Sequence, residues 1–249
     1  MLVEPVPNER AATATVDGER LLIVADYHAG IETVLQSNGV EIRSQADSRR
    51  ERLLGLLAET GTDRLVVLGD LVHAIGAPWE SEREELRELF DALSVPVTLV
   101  KGNHDGEIEG FLDELDHDIT VTSSGGTRIG PIGFVHGQTW PAVDLLEAEV
   151  ICMGHEHPVV RLEDSVGGSR IERVWLRGEI ALSGFQEQYD RQLTGECALV
   201  VFPSFNDRSG GTWINVEGRE FLSPFLPQGL TNGRVYLLDG TRLGAYETV

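Results

Sequence analysis

Short apolar runs and amphipathic stretches alternate over the first half of the chain. AATATV and LLIVA flank Asp17-Gly18, a dipeptide suited to a two-residue hairpin turn because both positions tolerate positive φ. LLIVA (21–25), LVVLG (65–69) and VTLVK (97–101) read as buried strands. Between them, Asp47–Glu59 clusters Leu53, Leu54, Leu56 and Leu57 on one side, and Ser81–Leu93 repeats Leu86, Leu89, Phe90 and Leu93 at helical spacing. Both stretches predict helices, and Ser81 followed by Glu84 has the spacing of a capping box. Strands alternating with helices of this length predict βαβ units and a largely parallel sheet.

From about Ile119 the pattern changes. DITVTS, TRIG, IGFVHG, EVICMG, HPVVRL, RIERVWL and ALVVF follow closely, with Gly and Ser between them, and predict a more antiparallel sheet. The stretch after Val201 is loop-rich but hydrophobic, so it should pack on the body. No repeat or linker interrupts the chain. An α/β protein of one domain, residues 1–249, is expected, long enough to bury a sizeable core.

Composition adds one anomaly. Lys+Arg number 20 against 41 Asp+Glu, a formal net charge of −21, and Lys101 is the only lysine. Apolar segments run through most of the chain, which argues against disorder. A salt-adapted cytoplasm fits better: excess carboxylates keep the surface hydrated, and at ~1 M salt a Debye length of about 3 Å removes most self-repulsion. So acidic a surface disfavours electrostatic binding of nucleic acid. No apolar run approaches the ~20 residues of a membrane helix, and no secretion signal is visible, so a cytoplasmic protein is expected, with no membrane partner. Cys152 and Cys197 lie in apolar runs as small buried hydrophobes, leaving neither a disulfide framework nor a Cys-type zinc site.

Chemistry is concentrated where apolar runs end. LLIVA leads to Asp26-Tyr27-His28, LVVLG to Asp70, TLVKG to Asn103-His104-Asp105, IGFV to His136, and VICMG to His155-Glu156-His157. In an open α/β sheet the carboxyl ends of strands converge on one crevice. Six of the seven histidines (His28, His73, His104, His136, His155, His157) lie in or beside these blocks; a chance gathering of structural histidines explains that poorly. Carboxylate, amide oxygen and imidazole together suit Mn²⁺, Fe²⁺, Zn²⁺ or Ni²⁺. The donors suffice for two ions sharing one carboxylate, an arrangement that serves phosphoryl displacement.

The ordered set D-x-H, GD, GNHD, H, GHxH, spanning residues 26 to 157, resembles the calcineurin-like metallophosphoesterase superfamily. The resemblance implies a four-layer α/β/β/α sandwich of two mixed β-sheets flanked by helices, with a metal-binding core over 1–162 and a β-rich part over 163–249 packed on it. It implies one ion on Asp26, His28, Asp70 and His157, and another on Asp70, Asn103, His136 and His155. A water bridging the ions would be the nucleophile. Catalytic His104 would act on the phosphoryl oxygens or the leaving group, with Asp105 orienting its imidazole. Mn²⁺ is the expected metal, with Fe, Zn or Ni as alternatives. The flanking sequences ADYHAGIE, GDLVHAIG, GHEHPV and FPSFND are similar to the Icc-like subgroup, including endonucleases associated with a ligase and an Lhr-type helicase. That implies a phosphodiesterase acting on DNA or RNA, single-stranded nucleic acid as substrate, a helicase partner and a role in DNA repair.

Many superfamily members carry an acidic residue where this chain has His73, which could contact substrate or only pack. Tyr27 could stack on a ligand or fill the core. Glu32 could accept a hydrogen bond from a histidine or face solvent. Arg49-Arg50-Glu51-Arg52 reads as a solvated helix face or a phosphate contact, and His117 as a surface histidine among carboxylates. Two other functions compete: hydrolysis of small phosphate esters or cyclic nucleotides, which suits the acidic surface, and a non-catalytic binding module, which the intact ligand set disfavours.

Overall fold

The computed structural model describes residues 2–164, 166–190 and 192–249. Its first sheet holds β1 (Val3–Pro5), β2 (Ala11–Val16), β3 (Glu19–Val24), β4 (Arg64–Leu68), β5 (Val97–Val100) and β6 (Ile119–Thr122), in that spatial order. The β2–β3 hairpin turns at Asp17 (φ 51°) and Gly18 (φ 88°), as the dipeptide predicts. From β3 to β6 all neighbours are parallel. The crossovers carry α1 (Ile31–Ser37), α2 (Ala46–Thr60), α3 (Glu80–Ala92) and the short α4 (Glu109–Leu112).

The second sheet comprises β7 (Thr127–Ile129), β8 (Ile132–Val135), β9 (Val150–Met153), β10 (Val159–Glu163), β11 (Ser169–Ile180), β12 (Ala198–Val201), β13 (Leu230–Leu237) and β14 (Arg242–Ala245). Their order is β14-β13-β11-β12-β9-β8-β7, with β10 paired to β11. It is mixed: β8, β9 and β12 run parallel, and the other pairings are antiparallel.

Strand periodicity sorts the core into layers. Leu21, Ile23, Val66 and Leu68 face Ile132, Phe134, Cys152, Trp175 and Phe202 between the sheets. Their neighbours Leu22, Val24, Leu65 and Val67 face Leu53, Leu56, Leu86 and Phe90 of α2 and α3. On the far side, Ile151, Met153, Leu199 and Val201 pack under Leu145, Leu146, Phe185, Phe225 and Leu226. The α/β/β/α layering is therefore present, with a thin fourth layer: a 3-10 segment (Val143–Glu147), α5 (Ser183–Tyr189) and loops. Each such side chain taken fully from water contributes roughly 1.5–3 kcal/mol before chain entropy is subtracted.

One local prediction is corrected. Helix α3 is capped not by Ser81 and Glu84 but two residues earlier, where the Glu82 carboxylate accepts the Trp79 N–H at 2.7 Å. Both cysteines are buried and free. Among the described residues no helix is long and apolar enough to cross a membrane.

Candidate metal centre

The chemical residues follow strands whose carboxyl ends meet at one rim of the two packed sheets. Beyond β3 come Asp26 and His28, beyond β4 Asp70, beyond β5 Asn103 and His104, beyond β8 His136, and beyond β9 His155 and His157. Asp26, His28 and His157 bring one donor atom each within 4.8 Å of one another, and so do Asp70, His136 and His155. His157 Nε2 lies 3.1 Å from Asp26 Oδ1. His136 Nε2 lies 3.4 Å from Asp70 Oδ2 and 3.1 Å from both Asn103 Oδ1 and His155 Nδ1. Asp70 Oδ2 is also 3.8 Å from His28 Nε2 and from His104 Nε2, so it sits between the two groups.

The backbone is bent to achieve this. Asp26, His28, Asp70, His155 and His157 all have φ between 44° and 68°, a region non-glycine residues rarely occupy. Two glycines make room: a Cβ on Gly102 would overlap the Asp70 carboxylate, and one on Gly69 the His136 ring. Buried polar groups hold the bends. Asp26 Oδ1 accepts the His155 N–H at 3.2 Å and Asp70 Oδ1 the His104 N–H at 2.9 Å. The Asn206 amide donates to the carbonyls of Tyr27 and His28 at 2.8 and 3.1 Å. Each such bond relieves a carbonyl or N–H that the tight turns leave without a ladder partner.

Burial and charge act against each other here. Burial would raise both aspartates, but imidazoles overcome it: Asp26 is lowered by His157 and His136, and Asp70 by His136, His28 and His104. Burial pushes His28 down to about 3 and His155 to about 4, so both are neutral with lone pairs available. His136 resists burial because Asp70 and Asp26 face it, and rises to about 9. Asp26 Oδ2 is buried, with no hydrogen-bond partner among the described residues. A buried, ionised and unpartnered carboxylate oxygen, grouped with the neutral imidazole of His28, is what a cation would satisfy, so the donor set fits a pair of divalent ions.

A sequence model of the calcineurin-like phosphoesterases matches residues 19–178. The chain belongs to that family. It is thus a metal-dependent phosphoester hydrolase, of a family that binds two divalent ions. The crystal structure of a nuclease from Pseudomonas putida, MPE, is similar to it with a TM-score of 0.57 and 21% identity, over 95% of this chain and 97% of that one. Yfce, a phosphoesterase from E. coli, is similar with a TM-score of 0.40 and 18% identity, over 90% and 96%. No curated protein sequence matches the chain.

Several expectations for this phosphoesterase are corrected by its side chains. Asp105 does not touch the His104 ring; its carboxylate accepts the N–H groups of Leu71, Val72 and Gly102 at 2.9, 3.3 and 2.9 Å, clamping the Asp70 loop to the Asn103 loop. His104 Nδ1 instead pairs with the His73 carbonyl at 2.5 Å. Glu32 binds no histidine: it pairs with Arg49, which also holds Glu85, in a buried triad. Arg49 is thus neither solvated nor free for phosphate, while Arg50 pairs with Asp47 and Glu88, and Arg52 with Glu9. Tyr27 is fully buried, stacked on Phe205. His117 is half-buried and bonds the Val95 carbonyl at 2.9 Å. His73 does reach the centre, its Nδ1 3.3 Å from that of His28 and its ring stacked on His104.

Some contributors escaped the sequence reading. Glu82 accepts the His73 and Ala74 N–H groups at 3.0 and 2.6 Å, and Glu85 accepts that of Gly30 at 2.9 Å, so α3 steadies both loops. The buried Glu156 accepts the N–H groups of Leu222 and Ser223 at 3.1 and 2.7 Å, tying a distant loop to the residue between His155 and His157. In a helix rich in carboxylates nothing marks Glu82 or Glu85. Glu156 had a signal, a lone acid between two histidines just beyond an apolar strand.

Proposed function

We propose that this phosphoesterase is a phosphodiesterase that cleaves nucleic acid strands with two Mn²⁺ ions. The observation that carries this is the placement of Asn103 and His104. Asn103 is exposed and the His104 ring reaches the surface, while Asp26 and Asp70 lie beneath them. An internal phosphodiester of a long strand can therefore meet the centre without its ends being enclosed. The whole-chain likeness to a nuclease supports the same reading.

One ion would be held by Asp26, His28, Asp70 and His157, the other by Asp70, Asn103, His136 and His155. When bound, the ions supply charge to the phosphoryl oxygens and acidify a water molecule to near neutrality. The protein's own groups do the rest. The His73 carbonyl fixes the His104 tautomer with its proton on Nδ1, so Nε2 faces the substrate side. Protonated there, His104 neutralises a phosphoryl oxygen or passes its proton to the leaving oxygen. Asp105 keeps the Asp70 and Asn103 loops in register.

With a net charge of −21, the surface outside the centre repels a polyanion. We therefore place the enzyme in a salt-rich cytoplasm, with a helicase partner presenting the strand during DNA repair. The same charge favours a second reading, hydrolysis of nucleotides or other small phosphate esters. A panel of single- and double-stranded DNA, RNA, and linear and cyclic nucleotides, with Mn²⁺ in molar KCl, separates the two. Cleavage of single strands, lost in Asp70→Asn, is expected; turnover of nucleotides alone would refute the first reading.

A further inference from the structure

His157 has two sides. Its Nε2 meets Asp26 at the metal centre, and its other face lines a separate cleft of about 350 Å³. The walls of that cleft are mostly apolar and include Trp213 and Leu222, with Arg219 and Glu220 at the rim. Trp213 is half-buried, and among the described residues no other aromatic ring packs on it. Leu222 is 60% exposed, unusual for a leucine on so acidic a surface. Arg219 forms no ion pair among the described residues, whereas Arg10, Arg49, Arg50, Arg52, Arg64 and Arg161 do.

The cleft is preformed. Trp213 lies on a segment bonded to β10 on both sides: Val159 N–H to the Thr212 carbonyl at 2.9 Å and Ile214 N–H to the Val159 carbonyl at 3.1 Å. Thr212 N–H bonds the Glu156 carbonyl, and the Glu156 carboxylate holds Leu222 and Ser223 from the other side. The indole and the leucine are thus braced through the residue between His155 and His157.

We propose that this cleft is a base-binding subsite: a nucleobase next to the phosphodiester at the metal centre stacks on Trp213 against Leu222, and Arg219 meets the backbone beyond it. This rests on the nucleic-acid reading and deepens it. A base offers an apolar face of the kind these walls match, and stacking is tolerant of sequence. It also survives salt, whereas attraction between Lys/Arg and phosphate falls steeply with salt and is scarce on this surface. Glu220 in the same wall opposes occupation by a free anion, which leaves a base as the better fit.

Fluorescence anisotropy of a labelled single-stranded oligonucleotide tests this, with His104→Ala protein, Mn²⁺ and molar KCl, and a gel of the same samples confirming an intact strand. Trp213→Ala in that background should weaken binding about 5- to 150-fold, the range for one base–aromatic stack. Trp213→Phe should recover most of it, and Leu222→Ser, at an exposed position, should weaken binding without altering the melting temperature. A strand of the same length built from abasic residues should bind the parent and Trp213→Ala equally. Unchanged affinity in both Trp213→Ala and Leu222→Ser, or an equal loss on the abasic strand, overturns the subsite. Overturned that way, wild-type protein still cleaves single strands; if wild type cleaves no strand at all, the nucleic-acid reading fails, and the subsite with it.

Discussion

Arg49 offers the sharpest test of how the centre is held. Its guanidinium bonds Glu32 at 3.0 and 3.2 Å and Glu85 at 2.7 and 2.9 Å, and lies over the Tyr27 ring at 5.3 Å. The three side chains are only 3–5% exposed, so salt screens them little. Arg49→Met keeps the aliphatic stem and leaves two carboxylates buried without their cation. Breaking a buried ion pair this way costs about 3–5 kcal/mol. In a chain of this size each kcal/mol moves the melting temperature about 2–4 °C, so a fall of about 6–20 °C is expected. Calorimetry at constant KCl measures it. The pH dependence gives the loss a signature. Glu32 is lowered in the folded protein: burial opposes this, but Arg49 wins, so its stabilisation is present above its usual value and lost as pH falls. Glu85 is raised, since burial outweighs Arg49, and its contribution runs the other way, fullest in acid. Without Arg49 both carboxyls titrate higher, so the two melting curves should converge below about pH 5. Arg49→Met combined with Glu32→Gln and Glu85→Gln should recover much of the loss at neutral pH. A fall under about 3 °C, or one that persists undiminished in acid, would refute the reasoning. Since Glu85 holds the Gly30 N–H two residues from His28, Mn²⁺ affinity should fall with stability.

Three further outcomes are expected. Asp70→Asn should retain at most one metal ion per chain by elemental analysis and lose at least about a hundredfold in hydrolysis, since the residue between the two donor groups loses its charge; two ions retained would count against the assignment. Metal uptake at pH 7.5 should release protons, because His136, raised to about 9, must give one up; heats that do not vary with buffer ionisation enthalpy would contradict this. The metal-free protein gains stability from that imidazolium, fully below about pH 6.5, and loses it as pH rises through about 9. Asp105→Asn presents one acceptor oxygen to three N–H groups and should cost about 1–3 kcal/mol of stability, read from denaturant unfolding curves.

The strands, the hairpin and the convergence of Asp26, Asp70, Asn103 and the histidines were legible because each follows from short-range pattern. Apolar runs of strand length end in turn residues, and parallel strands end on one side. What could not be read depends on which side chains meet at a distance. Arg49 lies in a helix of ordinary charge pattern, and only the meeting of α2 with α1 and α3 shows that Glu32 and Glu85 enclose it. Asp105 illustrates the limit of adjacency: it neighbours His104 in sequence, but the turn directs the carboxylate to the backbone instead. Tyr27 was ambiguous for a similar reason, since an aromatic between two ligand residues could face either way until Phe205 was seen to cover it.

The position of β12 bears on how the protein comes into being. By residue 162 the ribosome has made every candidate ligand, but β9 then still lacks the neighbour that Ala198–Val201 provides. The Asn206 amide that straddles Tyr27 and His28, and the Gly210 carbonyl that orients His157, arrive later still. A nascent chain or a truncated product ending near residue 162 would carry the complete ligand sequence together with a bare strand edge, a template for aggregation. Metal capture therefore belongs to the end of synthesis, and a premature stop should yield insoluble protein, not a partly active enzyme.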